Sequence, residues 1–169
     1  MKKIFIAIGI LSVAVTAAQA QVFSADMRGA NEIPPNSSSS IGSGSFVLTG
    51  DSLSFSVNAL LAGTLPVDAG VFGPASPTQT APMIFDLGTP TVSLAGGNAF
   101  VSYSGVEALS PAQVSNLLSD LDYVSIASTG AGYSGGEIRG QVTLLPEPSS
   151  LLLLGLGAGL VWNARRKKA

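Results

Sequence analysis

The sequence predicts an all-β protein: an antiparallel, Greek-key-like β-sandwich with one short helix. Two observations carry this prediction. Apolar and polar residues alternate with a period of two through residues 44–59, and Gly and Pro punctuate a series of short apolar runs elsewhere. Only one internal segment has helical spacing. The two hydrophobic ends add an N-terminal signal helix and a C-terminal hydrophobic helix.

The clearest strand pattern is a hairpin. Phe46 and Leu48 share one face before Gly50-Asp51, and the apolar positions from Leu53 to Ala59 share one face after it. Ser and Asn fill the opposite face, which is typical of an antiparallel sheet with one solvated side. The run 36–45 is predicted as a flexible loop. Further strands are predicted at 22–28, 69–72, 83–86, 91–94, 123–128 and 137–144.

The helix is predicted from its start signal. Ser110 stands at the N-cap, Pro111 at the first helical position and Gln113 at the third, which is a capping-box arrangement. The apolar positions that follow recur at helical spacing and should pack on the sheet. They are Val114, Leu117, Leu118 and Leu121.

Composition narrows the function. Residues 21–145 carry nine acids and two arginines, a formal charge of −7, which argues against nucleic-acid binding. The chain contains no His and no Cys, so the commonest general base and the commonest transition-metal ligand are missing. We therefore predict no catalytic residue, no metal site and no cofactor.

Two patterns that look chemical have plainer interpretations. Gly132-Tyr133-Ser134-Gly135-Gly136 matches the nucleophile elbow of hydrolases, but a strand rather than a helix is predicted to follow it, and no His or internal Lys could serve as base. We interpret it as a hairpin turn. Asp120 and Asp122 could contribute oxygen ligands to a calcium site, yet they lack the spacing of a calcium loop.

The N-terminus has the three parts of a secretory signal. Lys2 and Lys3 precede an apolar run at 4–15, and Ala18-Gln19-Ala20 forms a cleavage site that leaves Gln21 as the mature N-terminus. Sec-type export machinery and signal peptidase are the partners this predicts. Export is the firmest inference from the sequence.

The C-terminus has a second tripartite pattern. Pro146, Glu147 and Pro148 precede an apolar segment at 149–164, which the basic cluster follows. Sixteen helical residues span about 24 Å, somewhat short of the ~30 Å hydrocarbon core. The pattern resembles the PEP-CTERM sorting signal, which implies cleavage near Pro-Glu-Pro by an exosortase-like membrane protease. A permanent short anchor is the alternative. The basic residues are Arg165, Arg166, Lys167 and Lys168.

The region between these signals carries two separated motifs, Gly29-Ala30-Asn31-Glu32-Ile33-Pro34-Pro35 and Gly136-Glu137-Ile138-Arg139-Gly140-Gln141. In order and distance they resemble the ends of a CHRD domain, the repeat named after chordin. We predict a structural ion pair between Arg139 and either Glu137 or Glu32. The structural motif residues are Gly29, Glu32, Pro34, Gly136, Glu137, Arg139, Gly140 and Gln141.

One departure from the family is informative. Members usually carry a His-x-His-Gly-Pro segment and a further His in a later strand, and three such side chains on neighbouring strands would make a plausible metal site. Gly70, Phe72 and Ala127 stand at those positions here. The scaffold is therefore expected to remain without that site.

These inferences predict a signal peptide at 1–20, a CHRD domain at 21–145 and a sorting signal at 146–169. The protein is expected to pass through the inner membrane to the cell surface or extracellular matrix. There it would have a structural or adhesive role associated with extracellular polysaccharide, without enzymatic activity. The alternative is a module that binds a small ligand, an ion or a protein. An aromatic-lined groove would favour saccharide binding, although most aromatic residues are expected inside.

Overall fold

The computed structural model of the chain describes residues 20–146, in which ten strands form one antiparallel sheet. A 3-10 turn, Gly29–Asn31, follows the first strand, and the helix α1 is Pro111–Leu118. The strands are β1 (Gln21–Arg28), β2 (Ile41–Thr49), β3 (Ser52–Ala62), β4 (Pro66–Phe72), β5 (Met83–Asp86), β6 (Thr91–Ala95), β7 (Asn98–Ala108), β8 (Tyr123–Ser128), β9 (Ile138–Gln141) and β10 (Thr143–Leu144).

The sheet order is β5-β4-β8-β9-β1-β2-β3-β7-β6, with β10 also paired to β1. The prediction of an antiparallel all-β fold with one short helix is confirmed. The strands belong to one curled sheet, however, rather than to two separate sheets, because β1 pairs with β2 on one side and with β9 and β10 on the other. Phe55 of β3 and Phe85 of β5 meet inside the curl, with ring centroids 5.7 Å apart.

A single apolar core fills the curl, and the period of two in each strand decides which residues enter it. Phe23 and Met27 of β1, and Val57 of β3, are fully buried, while their sequence neighbours face outward. Leu117 of the helix joins the same cluster, and Val114 packs against it. The predicted packing of the helix on the sheet is therefore confirmed, although Leu118 is exposed and Leu121 lies beyond the helix end.

The hairpin of β2 and β3 is confirmed, and its turn falls at Gly50, where φ is +65°. The capping box is confirmed as well: Gln113 N donates to Ser110 Oγ, and Ser110 N donates to Gln113 Oε1 at 2.7 Å. Strand β7 was not among the predicted strands. Its alternation of Ala99, Val101 and Tyr103 inward with polar residues outward is nonetheless a regular strand pattern.

The predicted helices of the two termini lie outside the described residues. Within residues 20–146, no helix is both long and apolar enough to cross a membrane. Gln21, the predicted mature N-terminus, is the first residue of β1. Leu145 N donates to Val22 O at 2.8 Å, so both ends of the described chain lie side by side on the sheet.

Candidate functional site

The two sequence motifs, about a hundred residues apart, meet on the outer side of the sheet. Arg28, which directly precedes the first motif, and Arg139 are Cα partners between β1 and β9. Asn31 of the 3-10 turn binds the Arg139 carbonyl through Nδ2 at 3.1 Å. The loops at 29–40 and 73–82 contact this outer face, which explains why every residue of β8 is buried rather than every second one.

Glu137 is a fully buried carboxylate held by hydroxyl groups. Ser38 Oγ donates to its Oε1 at 2.6 Å, Thr64 Oγ1 donates to its Oε2 at 2.7 Å, and Ser40 donates to Oε1 as well. Burial raises the pKa of Glu137, but the hydroxyls of Ser128 and these three residues outweigh it, and the net effect lowers the pKa. The carboxylate therefore fastens three segments together as an anion.

These hydroxyl partners were not predicted from the sequence, which indicated a flexible loop at 36–45. Ser38 and Ser40 are instead bonded to Glu137, and Ser40 Oγ also accepts from Ala62 N at 2.9 Å. The sequence does contain a signal for this cluster: an acid, Glu137, at the start of a buried strand, and a run of serines at 37–40. A buried carboxylate needs several hydrogen-bond donors, and such a run of hydroxyl groups can supply them.

Arg139 is buried but has no acidic partner. Its guanidinium carbon lies 3.4 Å from the centre of the Tyr123 ring, and Nη2 donates to Ser76 O at 3.3 Å. The only ion pair within 4.0 Å among the described residues joins Arg28 to Asp26. The predicted pair of Arg139 with Glu137 or Glu32 is therefore wrong.

The physical reason is that both acids are satisfied by hydroxyls. Glu137 accepts hydrogen bonds from three of them, and Ser125 Oγ donates to Glu32 Oε1 at 2.7 Å. Burial raises the pKa of Glu32, against the opposing effects of Ser125 and of the positive field of Arg139. Burial lowers the pKa of Arg139, against the opposing effects of Tyr123 and Glu32.

Glu32 and Arg139 line an open cleft of about 480 Å³ together with Gln141, Asn31 and Thr78. This volume lies within the range of small-molecule sites. Arg139 Nη1 is buried and has no hydrogen-bond partner. The amide nitrogen of Gln141, by contrast, has two hydrogen-bond partners: Nε2 donates to Ala75 O at 3.0 Å and to Asp120 O at 2.8 Å.

The motif glycines are required by close approach. A Cβ on Gly140 would lie 2.7 Å from the Asp26 carbonyl oxygen, and one on Gly136 would lie 2.6 Å from Glu32 Oε1. Gly29 opens the 3-10 turn, and its carbonyl accepts from Glu32 N at 3.1 Å. Pro34 follows Ile33 through a cis peptide bond.

The three positions that lack histidine lie on the same outer face. Gly70 is the cross-strand partner of Ser125, and Ala127 lies one residue pair further along β8 on that face. Phe72 stacks on Tyr123 with centroids 5.2 Å apart. A Cβ on Gly70 would lie 2.7 Å from the Met83 methyl group, so Met83 occupies the space that a larger side chain would need.

The other residues considered for chemistry lie apart. Ser134 is in a run of turns with β9, not a helix, after it. Asp120 Oδ1 accepts from Leu144 N at 2.8 Å, whereas Asp122 is buried with Oδ1 unpartnered, and burial raises its pKa to about 6. Residues 20–146 contain no group of three or more acids, Cys or His placed to hold a metal ion.

A second concave surface lies on the outer face of β1, β2, β3, β7 and β6. It encloses about 580 Å³ and is lined by Phe100 and Ile41, both about half exposed. Polar side chains surround this apolar floor, and the Arg28–Asp26 ion pair, 3.1 Å between Nε and Oδ2, closes one end. We call this surface the outer groove. Its polar lining is Asp26, Arg28, Ser43, Asn58, Thr91, Ser93 and Ser102.

The outer groove was missed because β7 was missed. Once 98–108 is a strand with Ala99, Val101 and Tyr103 in the core, Phe100 and Ser102 must face outward. Most aromatic side chains of residues 20–146 are at least partly buried, as expected, whereas Phe100 is exposed.

Two family models match the sequence of this chain. No curated protein and no solved structure matches the chain. The PEP-CTERM protein-sorting motif matches residues 145–167, which marks an exosortase-sorted extracellular protein. The CHRD domain model matches residues 23–142, from β1 through β9, and includes both motifs that meet around Arg139. The chain therefore belongs to the CHRD domain family.

Proposed function

We propose that this protein is a non-enzymatic component of the cell surface or extracellular matrix that adheres to neutral extracellular polysaccharide through the outer groove. The observation that carries the proposal is an exposed aromatic ring set among amide, hydroxyl and paired charged side chains. A sugar ring has an apolar face and a hydroxylated edge, so it matches a floor of Phe100 and Ile41 with a polar rim.

Charge favours a neutral polymer. The region 21–145 has a formal charge of −7, and the only cation in the groove, Arg28, is already paired with Asp26. An acidic polysaccharide would be repelled at long range. Asn58, Ser43 and Ser102 supply hydroxyl and amide groups that suit uncharged hydroxylated ligands.

The test is cosedimentation of the mature protein with neutral polysaccharide purified from the producing cells. Phe100→Ser should weaken binding at least tenfold. Val106→Ser is the matched control, since Val106 is exposed on the same face of the same strand but outside the groove. Equal binding by the Phe100 variant and the parent would reject the groove as the adhesive surface.

Delivery to the surface is tested separately. We expect the mature protein to end near Pro146-Glu147-Pro148, cut by an exosortase-like protease after Sec-type export and signal-peptide removal. Mass spectrometry of the C-terminus decides this. A mature protein that kept Arg165 to Lys168 in the inner membrane would instead support the permanent-anchor alternative.

The cleft beside Arg139 supports a second candidate function, binding of a small carboxylate. A buried guanidinium with an unpartnered nitrogen lines this cleft, and carboxylates are the planar anions that arginine binds best. Glu32 on the other side could accept from a ligand hydroxyl. Calorimetry with glucuronate tests this: measurable heat lost in Arg139→Met would support it, and no heat with the parent protein would reject it.

A further inference from the structure

Apolar side chains form a row across the outer face at the end of the sheet where the chain leaves it. Val22, Val47, Ser54 and Val106 are successive cross-strand partners on β1, β2, β3 and β7. Leu145 lies next to Val22 through its backbone hydrogen bond. Val106 is 68 % exposed and Leu145 45 %. We call Val22, Val47, Val106 and Leu145 the apolar row.

The connection to the tail is too short to hold this row away from a membrane. Only residues 146–148 separate Leu145 from the apolar segment 149–164, a reach of about 14 Å when fully extended. The headgroup layer takes up roughly 5–7 Å of that distance. Leu145 must then lie within about 9 Å of the headgroup surface while the tail is inserted in the bilayer.

We propose that the apolar row is the surface through which the domain contacts the lipid headgroup region before the tail is removed. This inference rests on the membrane-inserted tail of the proposed function. The contact is apolar rather than electrostatic, because Asp51, Glu107 and Asp120 occupy this end of the sheet and both basic residues of 21–145 lie elsewhere. Neutral, zwitterionic lipid is therefore the preferred surface.

The orientation has a consequence for the outer groove. Ile41 in the groove and Val47 in the apolar row lie on the same face of β2, six residues apart, or about 20 Å along the strand. A domain that contacts the headgroups only at this end of the sheet would hold the groove about 20 Å away from them and open to the outside. Polysaccharide could then be bound before the protein leaves the membrane.

The contact depends on the tail. Four aliphatic side chains are a small surface, but a short tether places them at an effective concentration of about millimolar near the lipid. Cutting the tail removes that advantage, and the weak contact is lost. The processed protein collected from the medium should accordingly fail to cosediment with zwitterionic phospholipid vesicles.

The test uses the full chain in nanodiscs of zwitterionic phospholipid that carry a nitroxide on the headgroup. The chain has no Cys, so one introduced Cys gives a unique site for a fluorescent label. Val106→Cys reports the apolar row. Ser102→Cys is the matched control on the same strand and face, about 13 Å away. Trp162→Cys reports insertion of the tail.

We expect the label at position 106 to be quenched at least threefold more than the label at 102, and Val22→Ser with Val47→Ser to reduce that difference. Equal quenching at 106 and 102, with strong quenching at 162, would overturn the docking surface alone. No quenching at 162 would overturn the inserted tail, and with it both the docking surface and the sorting route.

Discussion

The guanidinium of Arg139 stacks on Tyr123, with its central carbon 3.4 Å from the ring centre, and no described carboxylate lies within 4.0 Å of it. A buried arginine is usually neutralised by a direct partner. Here the opposite charge is that of Glu32, which acts at longer range and is itself bonded to Ser125. Arg139 and Glu32 therefore interact electrostatically at longer range and not through a direct ion pair.

This coupling predicts how Glu32 responds to the loss of Arg139. Arg139→Met keeps most of the side-chain volume and removes the charge, so the pKa of Glu32, already raised by burial, should rise further. Carboxyl chemical shifts followed by NMR against pH measure it. Arg28→Met is the control, because Arg28 is exposed and paired with Asp26. An unchanged Glu32 titration in Arg139→Met would show that the field of Arg139 does not reach it.

The hydroxyl cluster around Glu137 predicts a large loss of stability for Glu137→Gln. The amide carries no negative charge for the hydroxyls of Ser38, Ser40 and Thr64 to stabilise. Its NH2 group is a donor, so it would face hydroxyl groups that now donate to the carboxylate. We expect the free energy of unfolding at pH 7 to fall by about 2–4 kcal/mol. Urea denaturation measures this, with Glu107→Gln as control, expected within about 0.5 kcal/mol of the parent.

The same cluster fixes the sign of a pH effect. Because the folded state lowers the pKa of Glu137, its contribution is present above the ordinary value of 4.5 and is lost as the pH falls through the lower folded value. The gap between the parent and Glu137→Gln should therefore narrow in acid. A gap that stays constant down to about pH 2 would contradict the anionic carboxylate.

Local patterns were enough for most of the fold. The β2–β3 hairpin, the strands Met83–Asp86 and Tyr123–Ser128, and the capping box at Ser110 all follow from residues near one another in the sequence. Strand β7 was missed although its alternation is regular. The curling into one sheet was not predictable from local pattern, because it depends on β1 pairing with β9 and β10 at the far end of the chain.

The site was harder to predict than the strands. The sequence predicted that Arg139 would pair with Glu137, two residues away, or with Glu32, but hydroxyl groups satisfy both acids instead. Glu137 is satisfied by Ser38, Ser40 and Thr64, whose hydroxyls are 73 to 99 residues away in the chain. A period of two tells which face a residue occupies and not which loop covers that face.

The buried carboxyl group of Asp122 predicts a pH dependence of stability opposite in sign to that of Glu137. Its Oδ1 is buried without a partner, and burial raises its pKa to about 6 from 3.8. The stability it contributes is full below pH 3.8 and is lost as the pH rises through about 6. Asp122→Asn should therefore stabilise the protein at about pH 8, on the order of 1–3 kcal/mol, and have little effect at about pH 4.

Thermal unfolding across this pH range measures the effect. Asp51→Asn serves as the control, because Asp51 is an exposed turn residue. If Asp122→Asn gave no more stability at about pH 8 than at about pH 4, the ionised carboxylate would have to be satisfied in the fold, and the raised pKa would be rejected.

The two glycines Gly135 and Gly140 predict contrasting results for the same substitution. A Cβ on Gly140 would lie 2.7 Å from the Asp26 carbonyl oxygen and 2.9 Å from its carbon, both backbone atoms of β1. Backbone in the middle of a sheet cannot move aside without breaking its pairing, so Gly140→Ala should cost about 1–3 kcal/mol of unfolding free energy. Gly135 lies in the turn before β9, and a Cβ there would have no neighbouring atom within 4 Å. Gly135→Ala should change stability by less than about 0.5 kcal/mol. Chemical denaturation of both variants makes the comparison. Similar losses in the two would mean that the cost of Gly140→Ala does not come from the close approach of β9 to β1.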